Sequence, residues 1–164
     1  EKSINTIQKN FLFFSKLITV KPEEKKKDLI ISKKTISNKL KNQFEFDTLI
    51  IRTLPNNHDK KKKDYSNQNP PYLSEECLRY IKKIGVKNLL IDLPSIDKEK
   101  DEGEVKNHKF FFDNSQGGNK NTITELIYVS DQVVDGDYFL NLQFMPIQND
   151  AAPSRPILFK IYYI

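Results

Sequence analysis

The chain has 164 residues, of which 37% are hydrophobic and 30% are charged, and its formal net charge is +5. This composition fits a globular protein better than a disordered chain, and one domain over residues 1–164 is expected. A single cysteine, Cys77, excludes an internal disulfide and a cysteine-cluster metal site, and it favours a reducing compartment such as the cytoplasm. No apolar run is long enough to cross a bilayer, so no membrane-spanning segment is expected.

The first third of the chain is predicted to contain helix, strand, helix and strand in that order. Apolar residues recur at helical spacing from residue 4 to residue 17, which predicts an amphipathic helix. The run "DLIISKKTISNKL" predicts a short strand and then a helix that begins near Ser32. Residues 46–54, "FDTLIIRTL", are rich in apolar and β-branched residues and predict a central strand.

A long polar loop is predicted over residues 55–71, and it contains four consecutive lysines at positions 60–63. Clustered lysines can neutralise phosphates, which raises the hypothesis of nucleic-acid binding. The lysines are bracketed by Asp59 and Asp64, and no RNA-recognition or helix-turn-helix pattern is present. A solvated face is therefore the favoured interpretation, and no nucleic-acid partner is expected.

The middle of the chain carries the signals of a helix followed directly by a buried strand. In "SEECLRYIKKIG", Ser74 is a suitable N-cap and Gly85 a suitable C-cap, with acidic residues in the first turn and lysines in the last. The run "VKNLLIDL" then predicts a buried strand, a connection typical of α/β folds. A glycine and asparagine loop at 113–121 precedes three further strand candidates, "NTITELIYV", "YFLNLQFMPI" and "RPILFKIYYI". The predicted fold class is mixed α/β.

Polar residues come directly after the buried strand, at the position where α/β sheets usually hold their ligand groups. Asp92, Ser95 and Asp97 are therefore candidates for shaping a site. An alternative is that Asp92 and Ser95 cap backbone groups of a turn around Pro94, and the sequence supports both interpretations equally.

One histidine and one glutamate are candidate metal ligands. His108 precedes "KFFF", whose aromatic residues belong in a core, so its ring is expected between core and cleft; a hydrogen-bonded structural histidine is the commoner alternative. Strand periodicity places Glu125 on the same face as Ile123 and Ile127, toward the interior, where a carboxylate must be paired, protonated or bound to a metal. The two side chains would suit zinc or manganese. His58 lies in the lysine-rich loop, where a solvated role is expected.

Other features bear on substrate and assembly. The chain has no HExxH motif, phosphate-binding loop or GxSxG elbow, so metal chemistry would need residues from outside it. Arg52 and Arg155 are candidate anion contacts for a small-molecule substrate, and both could equally form structural pairs. Several apolar strands need covering, which predicts a homo-oligomer.

Four stretches of the chain carry a resemblance to a known family: "LIIRTLPN", "YLSEECLRYIKKIGVKNLLIDLPSID", "TITELIYV" and "FLNLQFMPIQNDAAPSRPIL". Together they closely resemble the second part of the bacterial cyclase family, metal-dependent hydrolases that include kynurenine formamidase. The "IDLPSID" edge, a later histidine, a strand glutamate and an "SRP" turn come in the family's order. The resemblance implies a swivelling β/β/α fold and a zinc or manganese ion that activates water to cleave an amide, lactam or ester carbonyl. It implies that His108 and Glu125 are two metal ligands and that Asp92, Ser95 and Asp97 shape the site.

The family's signature, His-x-Gly-Thr-His-x-Asp followed by another histidine, does not occur in residues 1–164. The resemblance implies that this motif lies upstream of residue 1. We therefore expect the C-terminal portion of a longer hydrolase, with a fold that is incomplete at its N-terminus and inactive by itself. The alternative is a non-catalytic binding protein that retains the cyclase-like fold and has lost the metal.

Overall fold

A computed structural model describes residues 3–40, 45–113 and 121–162, which form two sheets and several short helices. The predicted loop at 113–121 lies almost entirely outside these residues. The helices of the described ranges are α1 Ile4–Ile7, α2 Lys33–Lys39, α3 Glu75–Lys83 and α4 Lys106–Phe112, and a 3-10 helix spans His58–Lys62. The strands are β1 Leu12–Val20, β2 Glu23–Lys25, β3 Asp28–Ile31, β4 Thr48–Thr53, β5 Tyr72–Leu73, β6 Asn88–Ile91, β7 Thr122–Thr124, β8 Gly136–Asn141 and β9 Ile157–Lys160.

The larger sheet has six strands in the order β7-β6-β4-β1-β8-β9. Strands β7, β6, β4 and β1 are parallel, whereas β8 and β9 are antiparallel to their neighbours. Every residue of β4 and β6 is buried, as expected for central parallel strands that are covered on both faces. The smaller sheet has the order β2-β3-β5. The mixed α/β class and the central position of β4 are thereby confirmed.

The two faces of the large sheet contribute to separate apolar clusters. Leu49 and Ile51 of β4 pack in the cluster that also contains buried residues of α2, α3 and α4. Ile50, between them, points to the opposite face and packs with residues of β1, β6 and β8. This alternation follows from the period of two in a strand. The carboxyl ends of β4 and β6 are therefore held between two layers of apolar side chains.

Local signals located α2 and α3 correctly. The Ser32 hydroxyl accepts the backbone N–H of Thr35, and the Ser74 hydroxyl accepts that of Cys77, so both serines are N-caps. Gly85 has a φ of 91°, the left-handed conformation expected of a glycine after a helix.

The predicted amphipathic helix over residues 4–17 is wrong. Only Ile4–Ile7 is helical, and β1 begins at Leu12. The first residues of β1 alternate between exposed and buried, and the strand pairs with β4 on one side and β8 on the other. The apolar residues of "FLFFSKLITV" fit both the periodicity of a helix and that of a strand. Pairing with β4 and β8 stabilises the strand.

No helix in the described ranges combines the length and the apolarity that a membrane span requires.

Candidate metal-binding site

The candidate site residues lie at one edge of the large sheet, where parallel strands end. Asp92 follows β6 directly, and Glu125 follows β7 directly. Strands β6 and β7 are neighbours and parallel, so their carboxyl ends meet at the same edge. The segment after β6 runs beside the segment after β7, because the Leu126 N–H donates to the Leu93 carbonyl at 2.9 Å.

Asp97 caps helix α4 from outside its own segment. Its Oδ1 accepts the backbone N–H of Asn107 at 2.8 Å, and its Oδ2 accepts that of His108 at 3.1 Å. The residue before the helix, Val105, has a φ of 40° and offers no side-chain cap. The Asn107 amide donates to the carbonyls of Leu73 and Ile96, which fixes the helix against the sheet edge.

The same carboxylate orients the His108 ring. Asp97 Oδ2 lies 2.7 Å from Nδ1, which assigns the ring proton to Nδ1 and turns Nε2 toward Glu125. Nε2 lies 3.3 Å from Glu125 Oε1, and that oxygen also accepts the Ile96 N–H at 3.0 Å. In this tautomer Nε2 and Oε1 are both acceptors, so a proton or a cation has to lie between them.

The pKa of His108 reflects these contacts. Burial is the largest single influence and acts to lower the pKa, but the hydrogen bonds to Glu125 and Asp97 outweigh it and raise the pKa above its ordinary value of 6.5.

The pair has the donor types and the spacing of two zinc ligands. Two ligands bound to zinc at about 2.0–2.2 Å and at a tetrahedral angle are separated by roughly 3.3–3.5 Å. The 3.3 Å between Nε2 and Oε1 falls in this range. A carboxylate on the other imidazole nitrogen, here that of Asp97, is the usual outer support of a histidine ligand. The residues present therefore fit a divalent metal.

The pair does not form a complete coordination shell. No group of three or more His, Cys, Asp or Glu side chains in residues 3–40, 45–113 and 121–162 could hold a metal ion. The other histidine, His58, is exposed and lies against the Tyr128 ring, 6.3 Å between ring centroids.

The sequence argument for Glu125 as an inward-facing strand residue is wrong. Strand β7 ends at Thr124, and the Glu125 side chain is 26% exposed. Leu126 has a φ of 56°, which ends the strand. Glu125 instead lines an open cavity of about 640 Å³ at the strand ends.

Asp92 and Ser95 have roles that differ from each other. Asp92 is 2% exposed and accepts both the backbone N–H and the hydroxyl of Thr53, which ties the ends of β6 and β4 together. The Ser95 hydroxyl accepts the Asp97 N–H at 3.0 Å, a turn cap of the kind that the alternative interpretation predicts. Both residues hold the backbone that carries Asp97.

A residue that sequence reasoning missed is Lys60. Its ammonium group lies 2.7 Å from Asp92 Oδ2 and donates to both oxygens of Thr53. Its side chain is only 8% exposed, so the solvated face predicted for the lysine run is wrong at this position. Nothing in four consecutive lysines distinguishes the one that is buried.

The two candidate arginines lie in different environments. Arg52 is 6% exposed, and its guanidinium donates to Thr19, to the carbonyls of Ser130 and Val133, and to Asp135. This is the structural pairing that the sequence left open as an alternative. Arg155 lines the same cavity as Glu125.

Comparisons with known proteins agree with this architecture. A sequence model of the family described as "Putative cyclase" matches residues 1–98. No curated protein sequence matches the chain.

Solved structures with a similar fold share little sequence with the chain. A predicted metal-dependent hydrolase from Bacillus stearothermophilus is 23% identical, with a TM-score of 0.65 over 90% of this chain and 63% of that one. A potential metal-dependent hydrolase with cyclase activity is 21% identical, with a TM-score of 0.68 over 96% and 70%. Isatin hydrolase A from Labrenzia aggregata is 15% identical, with a TM-score of 0.66 over 95% and 64%. The chain thus spans less than two thirds of the first and third of these proteins.

Proposed function

The chain belongs to the cyclase family, and from this premise we propose that it supplies part of the metal centre of a metal-dependent hydrolase that cleaves an amide, lactam or ester carbonyl. The observation that carries the proposal is the convergence of His108 Nε2 and Glu125 Oε1 at 3.3 Å, with Asp97 bound to the other ring nitrogen. Two acceptor atoms facing each other at this distance form a ready site for a divalent cation.

Each residue of the site has a role that follows from its contacts. A divalent ion, zinc or manganese, supplies a Lewis acid that polarises a carbonyl and lowers the pKa of a water molecule. His108 and Glu125 bind the ion, and Asp97 holds the imidazole in the tautomer that leaves Nε2 free to bind. The Ile96 N–H orients the Glu125 carboxylate.

The cavity beside Glu125 is the proposed substrate site. It has an apolar floor that includes Ile50, Leu90 and Leu140, and Arg155 lies on its wall. An apolar floor suits the hydrocarbon part of a small substrate, and a guanidinium suits a carboxylate or a polarised carbonyl oxygen. We assign Arg155 to substrate binding and Arg52 to the scaffold.

Two ligands do not complete a catalytic metal site, which needs at least three protein ligands and an open position. In this proposal the remaining ligands come from polypeptide outside residues 1–164, in a His-x-Gly-Thr-His-x-Asp segment. The chain alone is therefore expected to be inactive.

Metal titration of matched histidine variants tests the proposal. Zinc binding to the metal-free chain, measured by calorimetry, is expected to weaken on the order of 10-fold or more in His108→Ala and in Glu125→Gln. His58→Ala removes the same group elsewhere and is expected to leave binding unchanged. Equal effects of His108→Ala and His58→Ala would contradict the assignment. A longer polypeptide that carries the signature is expected to hydrolyse amide or ester substrates and to lose this activity in His108→Ala.

A second candidate function is a non-catalytic binding protein with the same fold. The absence of a group of three or more ligand side chains within the described part of the chain favours it. This alternative predicts that elemental analysis of the purified protein finds no stoichiometric zinc or manganese, and that His108→Ala changes no binding property.

A further inference from the structure

Leu126, the residue after Glu125, has a backbone conformation that leucine rarely adopts. Its φ is 56°, in the left-handed region, where the Cβ of a bulky side chain crowds the backbone. The other non-glycine residues with positive φ in the described ranges are polar, except Val105. Such conformations persist only where the surrounding structure imposes them, and they cluster at ligand-binding sites. Leu126 is therefore a candidate for a role at the site beside it.

The surrounding structure fixes the backbone of Leu126 and leaves its side chain in the open. The Leu126 N–H donates to the Leu93 carbonyl at 2.9 Å, and the Ile127 N–H donates to the Ile91 carbonyl at 3.3 Å. Leu126 is nevertheless 63% exposed, so packing of its side chain contributes little to stability. A single exposed leucine is ordinary, but the stability of the fold does not explain one that is held in a strained conformation.

Leu126 lies between two cavities. The larger, of about 640 Å³, is the proposed substrate site beside Glu125. The smaller, of about 360 Å³, is lined by residues of the polar loop, among them Lys63 and Tyr65, and by residues that follow β6, among them Ser95. Of the residues that the structure describes, Leu126 is the one that lines both cavities. Its side chain therefore separates them.

The larger cavity extends across the face of the large sheet. Strands β7 and β9 are the outer strands of this sheet, and Leu126 follows β7 whereas Arg155 precedes β9. The two residues therefore lie at opposite ends of the cavity, and Ile50 and Leu90 of the strands between them belong to its floor. A ligand whose anionic group binds Arg155 would lie along this floor, and its other end would meet Leu126.

We propose that Leu126 is a specificity-determining residue, which limits the size of the substrate group that extends from the larger cavity toward the smaller one. The substrates of this class are amides or esters with a carboxylate or a second polar carbonyl for Arg155 and a short group beyond Glu125. A smaller residue at position 126 joins the two cavities and admits a bulkier group. The inference rests on the proposed function, because it takes the cavity beside Glu125 as the substrate site.

Ligand binding by the chain tests the proposal without hydrolysis. Calorimetric titration compares benzoate with para-biphenyl carboxylate, which carries a second ring at the end remote from the carboxylate. Leu126→Gly is expected to improve the affinity for the longer compound relative to benzoate about 10-fold or more, since a single methylene in a hydrophobic pocket is worth about 10–200-fold. A ratio of affinities that Leu126→Gly leaves unchanged, or the failure of both compounds to bind to both proteins, would overturn the proposal.

Val105→Gly is the matched control for this titration. Val105 is also apolar and has a φ of 40°, but it lines neither of the two cavities in the described structure. The substitution makes the same change of backbone freedom away from the proposed site, and it is expected to leave the ratio of affinities unchanged. An equal shift of the ratio in Val105→Gly and Leu126→Gly would assign the effect to backbone freedom and count against a role of the leucine side chain.

Turnover by the longer polypeptide that carries the signature tests the same residue. With the acetyl and hexanoyl esters of para-hydroxybenzoate, the ratio of kcat/KM for the hexanoyl ester to that for the acetyl ester is expected to rise about 10-fold or more in Leu126→Gly. Val105→Gly is expected to leave this ratio unchanged. An active polypeptide with the same ratio in Leu126→Gly would overturn the inference. A polypeptide that hydrolyses neither ester would count against the proposed function, and the titration of the chain would still decide the role of Leu126.

Thermal unfolding separates this role from packing of Leu126 against upstream polypeptide. Leu126→Gly is expected to change the melting temperature of the chain and of the longer polypeptide no more than Val105→Gly does, because the side chain is exposed and glycine relieves the strain. A melting temperature that falls only in the longer polypeptide, with an unchanged ratio of affinities, would mean that Leu126 packs against the added segment and would overturn the proposal.

Discussion

Asp97 Oδ2 binds His108 twice, through the backbone N–H at 3.1 Å and through the ring Nδ1 at 2.7 Å. The residue that caps helix α4 therefore also selects the tautomer of the histidine in that helix. The position of the His108 ring and its tautomer are coupled, because the buried Asp97 carboxylate controls both.

Asp97→Asn tests this coupling. The single amide oxygen can still accept the Asn107 N–H, but the NH₂ group then faces both the backbone N–H and the Nδ1–H of His108, so one cap bond is lost and the wrong tautomer is favoured. Zinc affinity is expected to fall about 10–100-fold, and the free energy of unfolding by about 1–3 kcal/mol. Asp101→Asn makes the same chemical change at a carboxylate that caps an exposed turn, so it serves as the control in calorimetry and urea unfolding. Equal zinc affinity in the two variants would argue against an orienting role for Asp97.

The stability of the metal-free chain should depend on pH through His108. The pKa of His108 is raised in the folded chain, so the protonated ring contributes stability that is fully present below its ordinary pKa of 6.5. This contribution is lost as the pH rises through the folded-state pKa. Urea unfolding in the presence of a chelator, compared between the wild type and His108→Gln, is expected to show a difference that shrinks with rising pH. A difference that grows with pH would reverse the sign and refute the assignment.

Zinc binding should depend on pH in the opposite sense. Protons compete with the metal for Nε2, so the affinity of the chain for zinc is expected to increase as the pH rises through the pKa of His108.

Lys60 is expected to matter for stability more than any other lysine of its run. Lys60→Met removes the cation next to Asp92, whose side chain is fully buried, and leaves that carboxylate with its two hydrogen bonds from Thr53 but without an opposite charge. Breaking a buried ion pair in this way costs about 3–5 kcal/mol. Lys62→Met makes the same change of charge at an exposed position and is expected to alter stability by less than about 0.5 kcal/mol. Similar melting temperatures for the two variants would contradict the buried pair.

Substitutions of the two arginines are expected to affect different properties: the stability of the fold for Arg52 and ligand binding for Arg155. Arg52→Lys keeps the charge but loses the planar set of donors that spans Thr19, Ser130 and Asp135, so a clear loss of stability is expected. Arg155→Gln is expected to leave stability unchanged and to weaken the binding of small carboxylate or amide ligands in the Glu125 cavity. Ligand titration and thermal unfolding of both variants measure the two effects independently.

The fold could be predicted where the residues that cap a helix lie next to that helix in the sequence. Helix α3 has an N-cap serine, complementary charges at both ends and a terminal glycine, and the structure contains all of these features. Helix α4 has no such signals, because its cap is Asp97, nine residues before its first residue. A cap supplied from outside the helix leaves no pattern in the neighbouring sequence.

The identity of the site residues could be predicted from the sequence, but their arrangement in space could not. His108 and Glu125 were selected as a pair, but the argument for Glu125 placed it inside a strand that in fact ends at Thr124. The left-handed conformation of Leu126 ends this strand, and leucine gives no warning of it. Burial of Lys60 depends on Asp92, which is 32 residues away in the sequence, so only the tertiary structure reveals it.

The location of a bound metal ion decides whether His108 and Glu125 are ligands. Crystals of the protein grown with zinc, with data collected on both sides of the zinc absorption edge, give an anomalous difference map that shows only zinc. We predict a peak between His108 and Glu125, within bonding distance of both Nε2 and Oε1, while Nδ1 remains hydrogen-bonded to Asp97. A zinc peak elsewhere, with the imidazole and the Glu125 carboxylate still in direct contact, would contradict it.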